Sequence, residues 1–585
     1  MYTSNYDKNP QIIIKDIDQP AVTGWKAIAG TIDREVIARN QKKTIIAVET
    51  YPGTADREVL GAFLAGSDPA LCIRAENLYK SEEEINRITF PDVTDDRIFG
   101  YMTRLTIIDF LDKDKLEQAR KNLDEVEKGT VLLYGCGASE ISSDIDIFIY
   151  SDLTRFEIQQ RMRRKELANL GTADYELEIS RKYKRAFFVD WRVADRIKIK
   201  TCSKWDFVLD TNKADAPVMI TAGMFMNAME ISARRPFRLV PFFDPGPWGG
   251  QWMKEVCDLD RSAVNYAWCF DCVPEENSLL YNLNGTIFET PAINLVFFQP
   301  VALLGERVFA RFGAEFPIRF DFLDTMGGGN LSLQVHPTTE YIREQFGMSY
   351  TQDESYYLLD AGKDARVYLG LREDAVPGDM IRELNAAQKE GTAFDADKYV
   401  AGWPARKHDH FLIPAGTVHC SGSNCMVLEI SATPYIFTFK LWDWGRPGLD
   451  GMPRPINIEH GERVIQWNRT ESWVRKELVN RITPVNTKDG CREERTGMHE
   501  FEFIETIRHW FSKKVVHSCE DSVNVLNLVE GREAIIESPS GAFEPFVVHY
   551  AETFVIPAGV QEYTIRPYGE AGNKECATIK AFIRR

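Results

Sequence analysis

"HFLIPAGTVHCSGSN", His410 to Asn424, decides how the second half of the chain is to be read, because almost the same phrase returns as "FVIPAGVQEY", Phe554 to Tyr563. Aligned on Pro-Ala-Gly, Pro414 matches Pro557, Gly416 matches Gly559, and His419 falls opposite Glu562. Each copy is an apolar run, a Pro-x-Gly turn and a new run, the pattern of strand, turn and strand. A recurrence at this distance predicts two copies of one β unit. The histidine is not repeated, so one copy is expected to carry a site that the other lacks.

Working outward, the texture after Pro236 is all-β. Glycine, proline and aromatic residues punctuate short apolar runs, as in "PFFDPGPWGGQW" and "DTMGGGNLSLQVHP", with one helical insertion near 377–399. Up to about residue 210 the pattern is different. "TIIAVET" (Thr44 to Thr50), "VLLYG", "IDIFIY" and "AFFVDW" (Ala186 to Trp191) read as strands buried on both faces. Between them lie helical stretches such as "DREVLGAFLAG" and "TRFEIQQRMRRKELANLG". The second has Thr154 as N-cap with Glu157 three residues on, and it is expected to end at Gly171. The predicted organisation is multidomain: an α/β parallel-sheet domain over 1–210, a linker or helix over 211–235, an all-β domain over 236–499, and a second one over 500–585 without metal ligands.

Bulk properties exclude several functions. The 585 residues exceed one hydrophobic core. A net charge of −17 disfavours a phosphate backbone as partner. The two basic runs, "RMRRK" and "RKYKR", read as solvated helix faces. Eleven cysteines without regular spacing disfavour a disulfide framework, and Cys269 and Cys272 read as buried thiols. The polar start "MYTSNYDKNP" is unlike a signal peptide, and the apolar segment "PAINLVFFQPVALLG" is too broken to span a membrane. A cytoplasmic protein is expected.

Chemistry concentrates near His419. In "NLSLQVHP", Gln334 and His336 are two apart and share a strand face. Glu354 opens the run "ESYYLL", and His419 follows the Pro-x-Gly turn. Gln, His, Glu and His from neighbouring strands form a mixed N/O set with one negative charge, suited to a divalent metal with open positions. His408 and His410 lie nearby and read as outer partners or surface residues. Residues alone leave an Fe(II) oxygenase and a non-catalytic sensor open beside a metal enzyme.

Four blocks in order now carry a resemblance: "PGPWGGQW", "LSLQVHP", "DESYYLLDAGKDARVYLG" and "HFLIPAGTVHCSGSNCMVLEISATPYIFTFKLWDW". The segment from about 236 to 585 resembles the type I mannose-6-phosphate isomerases, zinc enzymes of the cupin superfamily. The resemblance implies cupin (double-stranded β-helix) barrels, a sugar-phosphate substrate, and isomerisation of mannose 6-phosphate to fructose 6-phosphate through a cis-enediolate. It makes Gln334, His336, Glu354 and His419 the ligands of one zinc ion per chain. Where the family has its active-site arginine this chain has Lys440, with Arg446 six residues on; both are candidate catalytic cations. The general base is not readable, Glu429 being one candidate. The N-terminal region loosely resembles a degenerate P-loop nucleoside-kinase-like domain. Its loop after Thr50 lacks Gly-Lys-Ser/Thr, and "GCGAS" (Gly135 to Ser139) is the phosphate-cradle candidate.

Overall fold

The computed structural model describes residues 4–15, 19–432, 437–447, 456–488, 490–497, 499–572 and 574–584. The chain divides into two compact units, and neither is continuous in sequence: one is Gln11–Ile231 with Ser278–Phe298, the other Met1–Pro10 with Ser232–Asn277 and Gln299–Arg585.

The first of these is α/β. Its early strands are β1 (Gln11–Ile14), β2 (Val22–Thr23), β3 (Lys43–Thr50) and β4 (Leu71–Arg74). Then follow β5 (Gly129–Tyr134), β6 (Ile147–Asp152), β7 (Phe207–Asp210) and β8 (Val218–Thr221). Seven of them form one sheet in the order β2-β8-β7-β6-β3-β5-β4, with β4, β5, β3, β6 and β7 parallel and β8 antiparallel. The apolar runs read as strands from Thr44, Val131 and Ile145 fall in β3, β5 and β6, whose central residues are buried as two covered faces require.

Other expectations for this unit need correction. "AFFVDW" is helical: Ala186–Asp190 is a π-helical turn inside a run from Ile179 to Thr201. Its apolar residues are buried on all sides, and burial without alternation does not distinguish a strand from an enclosed helix. Thr154 does cap its helix, accepting from the Glu157 amide, but the helix stops at Arg163. Of the basic runs, "RMRRK" is solvated at Arg163, Arg164 and Lys165 but not at Arg161, and "RKYKR" is mostly buried, at Lys182, Lys184 and Arg185. Arg161 is buried, with Nη1 on the Gly53 carbonyl at 2.9 Å and Nη2 on that of Thr211 at 2.8 Å. Lys182 is buried with Nζ on the carbonyls of Leu167 and Tyr175, at 2.8 and 2.7 Å. Long cationic side chains here satisfy carbonyls of turns and loops that have no place in a helix or sheet ladder. Residues 211–235 carry β8 and the helix Ala222–Ser232.

In the other unit β9 (Phe242–Asp244) and β10 (Trp268–Cys272) come first; β11 (Ser278–Leu283) and β12 (Thr286–Pro291) return to the α/β unit and pair with β1. Next are β13 (Arg319–Asp324), β14 (Leu333–Val335), β15 (Glu354–Ala361), β16 (Arg366–Leu371) and β17 (Val400–Pro404). They continue as β18 (His410–Ile413), β19 (His419–Ser421), β20 (Cys425–Ser431) and β21 (Phe439–Trp442). These form two antiparallel sheets, β18-β15-β20-β13-β10-β9 and β17-β16-β19-β14-β21. Helices Pro377–Glu390 and Ala396–Tyr399 stand between β16 and β17, inside the 377–399 insertion.

The rest of the chain repeats the plan. It supplies β22 (Thr483–Lys488), β23 (Cys491–Gly497), β24 (Ile504–Phe511), β25 (Val515–Ser518) and β26 (Asn524–Glu530). It ends with β27 (Glu533–Glu537), β28 (Phe546–His549), β29 (Thr553–Ile556), β30 (Glu562–Pro567) and β31 (Cys576–Ile583). The sheets run β22-β23-β24-β31-β26-β29 and β25-β30-β27-β28. Replacing β13 through β20 by β24 through β31 in chain order turns one strand order into the other. The recurring Pro-Ala-Gly phrase therefore marks a duplicated two-sheet β unit. The Pro-Ala-Gly turn joins β18 to β19 in one copy and β29 to β30 in the other.

Glycine packing joins the Trp-Gly-Gly block to the Gly327–Gly329 turn. A Cβ on Gly250 would lie 2.0 Å from Asp324 Oδ1, and that carboxylate already accepts the amides of Met253 and Met326 at 2.9 Å each. The carboxylate cannot retreat without losing both bonds. Gly250→Ala should therefore destabilise the protein by about 1–3 kcal/mol, read as a lower denaturant midpoint at unchanged slope.

Candidate metal centre

Three strands from both sheets of the first β unit bring the ligand set together. Gln334 on β14 pairs in register with His419 on β19 and, on its other side, with Lys440 on β21. Directly opposed residues of antiparallel strands share a face, so Gln334, His419 and Lys440 project the same way. Glu354 opens β15 in the facing sheet, and His336 follows β14 immediately.

Distances are those of a closed cluster. Glu354 Oε1 is 2.8 Å from His419 Nε2, and Glu354 Oε2 is 3.1 Å from His336 Nε2. One donor atom from each of the three lies within 4.8 Å of the others. All three side chains are fully buried. The Gln334 amide is 3.2 Å from His419 Nε2, and turned end for end it offers oxygen to the same point.

The backbone fixes how the imidazoles are charged. His336 Nδ1 lies 3.0 Å from the Phe437 carbonyl, and His419 Nδ1 lies 2.8 Å from the Thr417 carbonyl. A carbonyl only accepts, so each Nδ1 carries the proton and each Nε2 presents a lone pair. Two lone pairs then face a carboxylate, which needs a cation between them. Without an ion a proton must serve. Burial alone works against it, yet Glu354 keeps His336 above its ordinary value. Glu354 is itself held low by the two imidazoles despite a burial that pushes the other way. His336 Nε2 and Glu354 Oε1 are buried without a hydrogen-bond partner of acceptable geometry. An Nδ1–H tied to a carbonyl with Nε2 turned inward is the usual arrangement of a metal-ligating histidine. The residues present fit a divalent metal.

Around the centre sit two further acids, Glu429, which the sequence offered as a candidate base, and Asp321, which it did not single out. Gln352 Nε2 bridges Glu354 Oε2 at 2.9 Å and Glu429 Oε1 at 3.4 Å. Burial, then Glu354 and Asp321, push the Glu429 carboxyl well up. Asp321, opposite Glu429 in register, is pushed up to about 8, chiefly by burial. Burial thus favours the neutral form of both, beside a Glu354 carboxylate that is held low. Neither breaks a wholly apolar face, since Arg319 shares that of Asp321 and Ser431 that of Glu429, so alternation alone gives no signal for them. Arg469, also missed, clamps the turn before His419. Its Nη1 lies 2.8 Å from the Pro414 carbonyl, 2.7 Å from that of Ala415 and 2.5 Å from Thr417 Oγ1.

The candidate cations differ. Lys440 is half-buried on the ligand face, and Arg446 is turned to Asp443, Nη2 to Oδ1 at 2.9 Å. His410 is a buried core residue pushed down to about 3 by burial, and His408 bonds Tyr357 and Glu530 at 2.9 and 3.2 Å. In the α/β unit the "GCGAS" amides already have a partner: Gly137 and Ser139 donate to the Glu49 carboxylate at 2.5 and 2.8 Å. Cys269 and Cys272 are buried free thiols, and no helix among the described residues is long and apolar enough to cross a membrane.

Replacing His336 or His419 by Ala should each cost one equivalent of divalent metal per chain, counted by inductively coupled plasma mass spectrometry. Arg446→Met, beyond the cluster, should keep the full count.

Comparison with known proteins finds one family model over most of the α/β unit and relatives over other shares of the chain. Residues 24–234 match a family model described as "Domain of unknown function (DUF8485)". A mannose-6-phosphate isomerase of Streptococcus mutans is 24% identical over 39% of this chain and 68% of its own length. The mannose-6-phosphate isomerase ManA of Bacillus subtilis is 28% identical over 26% of this chain, so the match spans 45% of that relative. The crystal structure of the mannose 6-phosphate isomerase from Bacillus subtilis superposes with a TM-score of 0.48 at 16% identity, covering 59% of this chain and 99% of that one. Over part of its length, then, the chain is similar to mannose-6-phosphate isomerases, and over the α/β segment to a family whose function its description leaves open.

Proposed function

We propose that this chain is a metal-dependent aldose–ketose isomerase of cupin fold, interconverting mannose 6-phosphate and fructose 6-phosphate through a cis-enediolate. The observation that carries the reading is the His336–Glu354–His419 cluster with Lys440 on the same face, in a chain whose curated relatives are named for that reaction. Two imidazoles, a carboxylate and an amide suit zinc with a coordination position left open. The metal, held by Gln334, His336, Glu354 and His419, would supply Lewis-acid polarisation of sugar oxygens.

The remaining work falls to the chain's own residues. Lys440 supplies positive charge where the enediolate oxygen develops negative charge, a preorganised interaction that strengthens in the transition state. Its ammonium is a point charge where the family arginine is a planar fork, so it cannot make a two-toothed contact. Arg446 is the second candidate, for the phosphate. Glu429, whose carboxyl burial pushes up, accepts from Gln352 and through it orients Glu354. The free thiols suit a reducing compartment, in keeping with a cytoplasmic enzyme of carbohydrate metabolism.

The test is steady-state kinetics with mannose 6-phosphate. Lys440→Met should lower kcat on the order of 10²-fold with little change in KM, and Lys440→Arg should retain or raise activity. Arg446→Met should act on KM. An inactive parent that nevertheless holds its metal and binds the sugar phosphate would favour a sensor over an enzyme.

For the α/β unit the reading is a degenerate, non-catalytic kinase-like domain. The loop at Tyr51 to Glu58 offers no lysine to a triphosphate. The full-length chain given Mg²⁺ and ATP should release no phosphate above background. Turnover abolished by a point change in that loop would contradict this.

A further inference from the structure

The second β unit lacks the ligand set of the first but contains another. Glu493 on β23 stands in register with His509 on β24, its Oε1 3.7 Å from His509 Nε2. His517 comes from β25, the edge strand of the other sheet, with its ring centroid 4.5 Å from that of His509. One donor atom from each of the three lies within 4.8 Å of the others. We propose that Glu493, His509 and His517 hold a second divalent transition-metal ion, separate from the centre at His336, Glu354 and His419.

Two observations point to a ligand rather than to ordinary core histidines. His509 is 2% exposed and His517 5%, yet His509 Nδ1 and His517 Nε2 are buried without a hydrogen-bond partner. Buried polar atoms are rarely left so, and two unsatisfied imidazoles in contact need an explanation. The Glu493 side chain, 24% exposed, supplies the negative charge and the way in from solvent.

This site is not a remnant of the first. In the first unit β14 and β19 set Gln334 opposite His419; the equivalent strands β25 and β30 set His517 opposite Tyr563, its ring stacked on the imidazole at 5.2 Å. The other two ligands lie on β23 and β24, strands that carry none of the first set. Two nitrogens and one carboxylate oxygen suit zinc-class ions. An ion there would tie β25 to β23 and β24 across the two sheets, so its role is to brace the unit. Lys580, on β31, sets a positive charge near both imidazoles and opposes a cation there, which gives the proposal a handle.

The experiment counts metal in the full-length protein, stripped with chelator and reloaded with Zn²⁺, and does not depend on catalysis. The parent should hold two equivalents and His336→Ala one. His509→Ala should hold one while retaining the isomerase centre. Should His509→Ala fail to fold, Glu493→Gln, at a partly exposed position, tests the same ion and should weaken it on the order of 10- to 100-fold. Lys580→Met should tighten it. The proposal falls if the parent binds a single equivalent, or if the second survives both His509→Ala and Glu493→Gln at undiminished affinity.

Discussion

One buried carboxylate between two imidazoles governs the first β unit. Glu354 faces the lone pairs of His336 and His419, and both rings are locked in that tautomer by backbone carbonyls. Such a group is costly to bury without a cation. Its surroundings are arranged around that cost: Gln352 donates to Glu354, burial pushes the Glu429 and Asp321 carboxyls up, and Arg469 fixes the turn from which His419 enters. The same constraint explains why the site draws on both sheets. Ligands from one sheet alone would leave the carboxylate without an opposing lone pair.

The duplicated β unit shows how a fold is kept while its chemistry changes. Strand orders coincide, and the Pro-Ala-Gly turn stands at the same place in both copies. At the turn's exit His419 is buried, and Glu562 is exposed. Asn524 opens β26 as Glu354 opens β15. With the carboxylate gone, the second copy needs no ion at that point; of its unsatisfied histidines, His517 lies on β25, the counterpart of β14, but opposite Tyr563, and His509 lies on β24, the counterpart of β13.

What sequence alone made legible followed from local pattern. The ligand set could be read because a strand's period of two places Gln334 and His336 together and because turns leave a clear mark before His419. The repeat was visible for the same reason. Features that depend on which distant surface covers a segment were not legible. "AFFVDW" is apolar enough for a strand but is enclosed as a helix, and Lys182 and Arg161 look like surface cations until the carbonyls they satisfy are seen. The "GCGAS" amides look ready for a phosphate until Glu49 is found on them, and the return of β11 and β12 to the α/β unit, where they pair with β1, has no local signal. Glu493, His509 and His517 are spaced too irregularly to suggest one another.

The central claim is that the His–Glu–His centre, with Lys440 beside it, isomerises a sugar phosphate. Proton NMR of mannose 6-phosphate incubated in D₂O with the zinc-loaded chain tests it most directly. The account predicts conversion to the equilibrium mixture with fructose 6-phosphate, with solvent deuterium entering at the carbons that exchange the proton. An unchanged mannose 6-phosphate spectrum, from protein shown to carry metal at His336, Glu354 and His419, would contradict it.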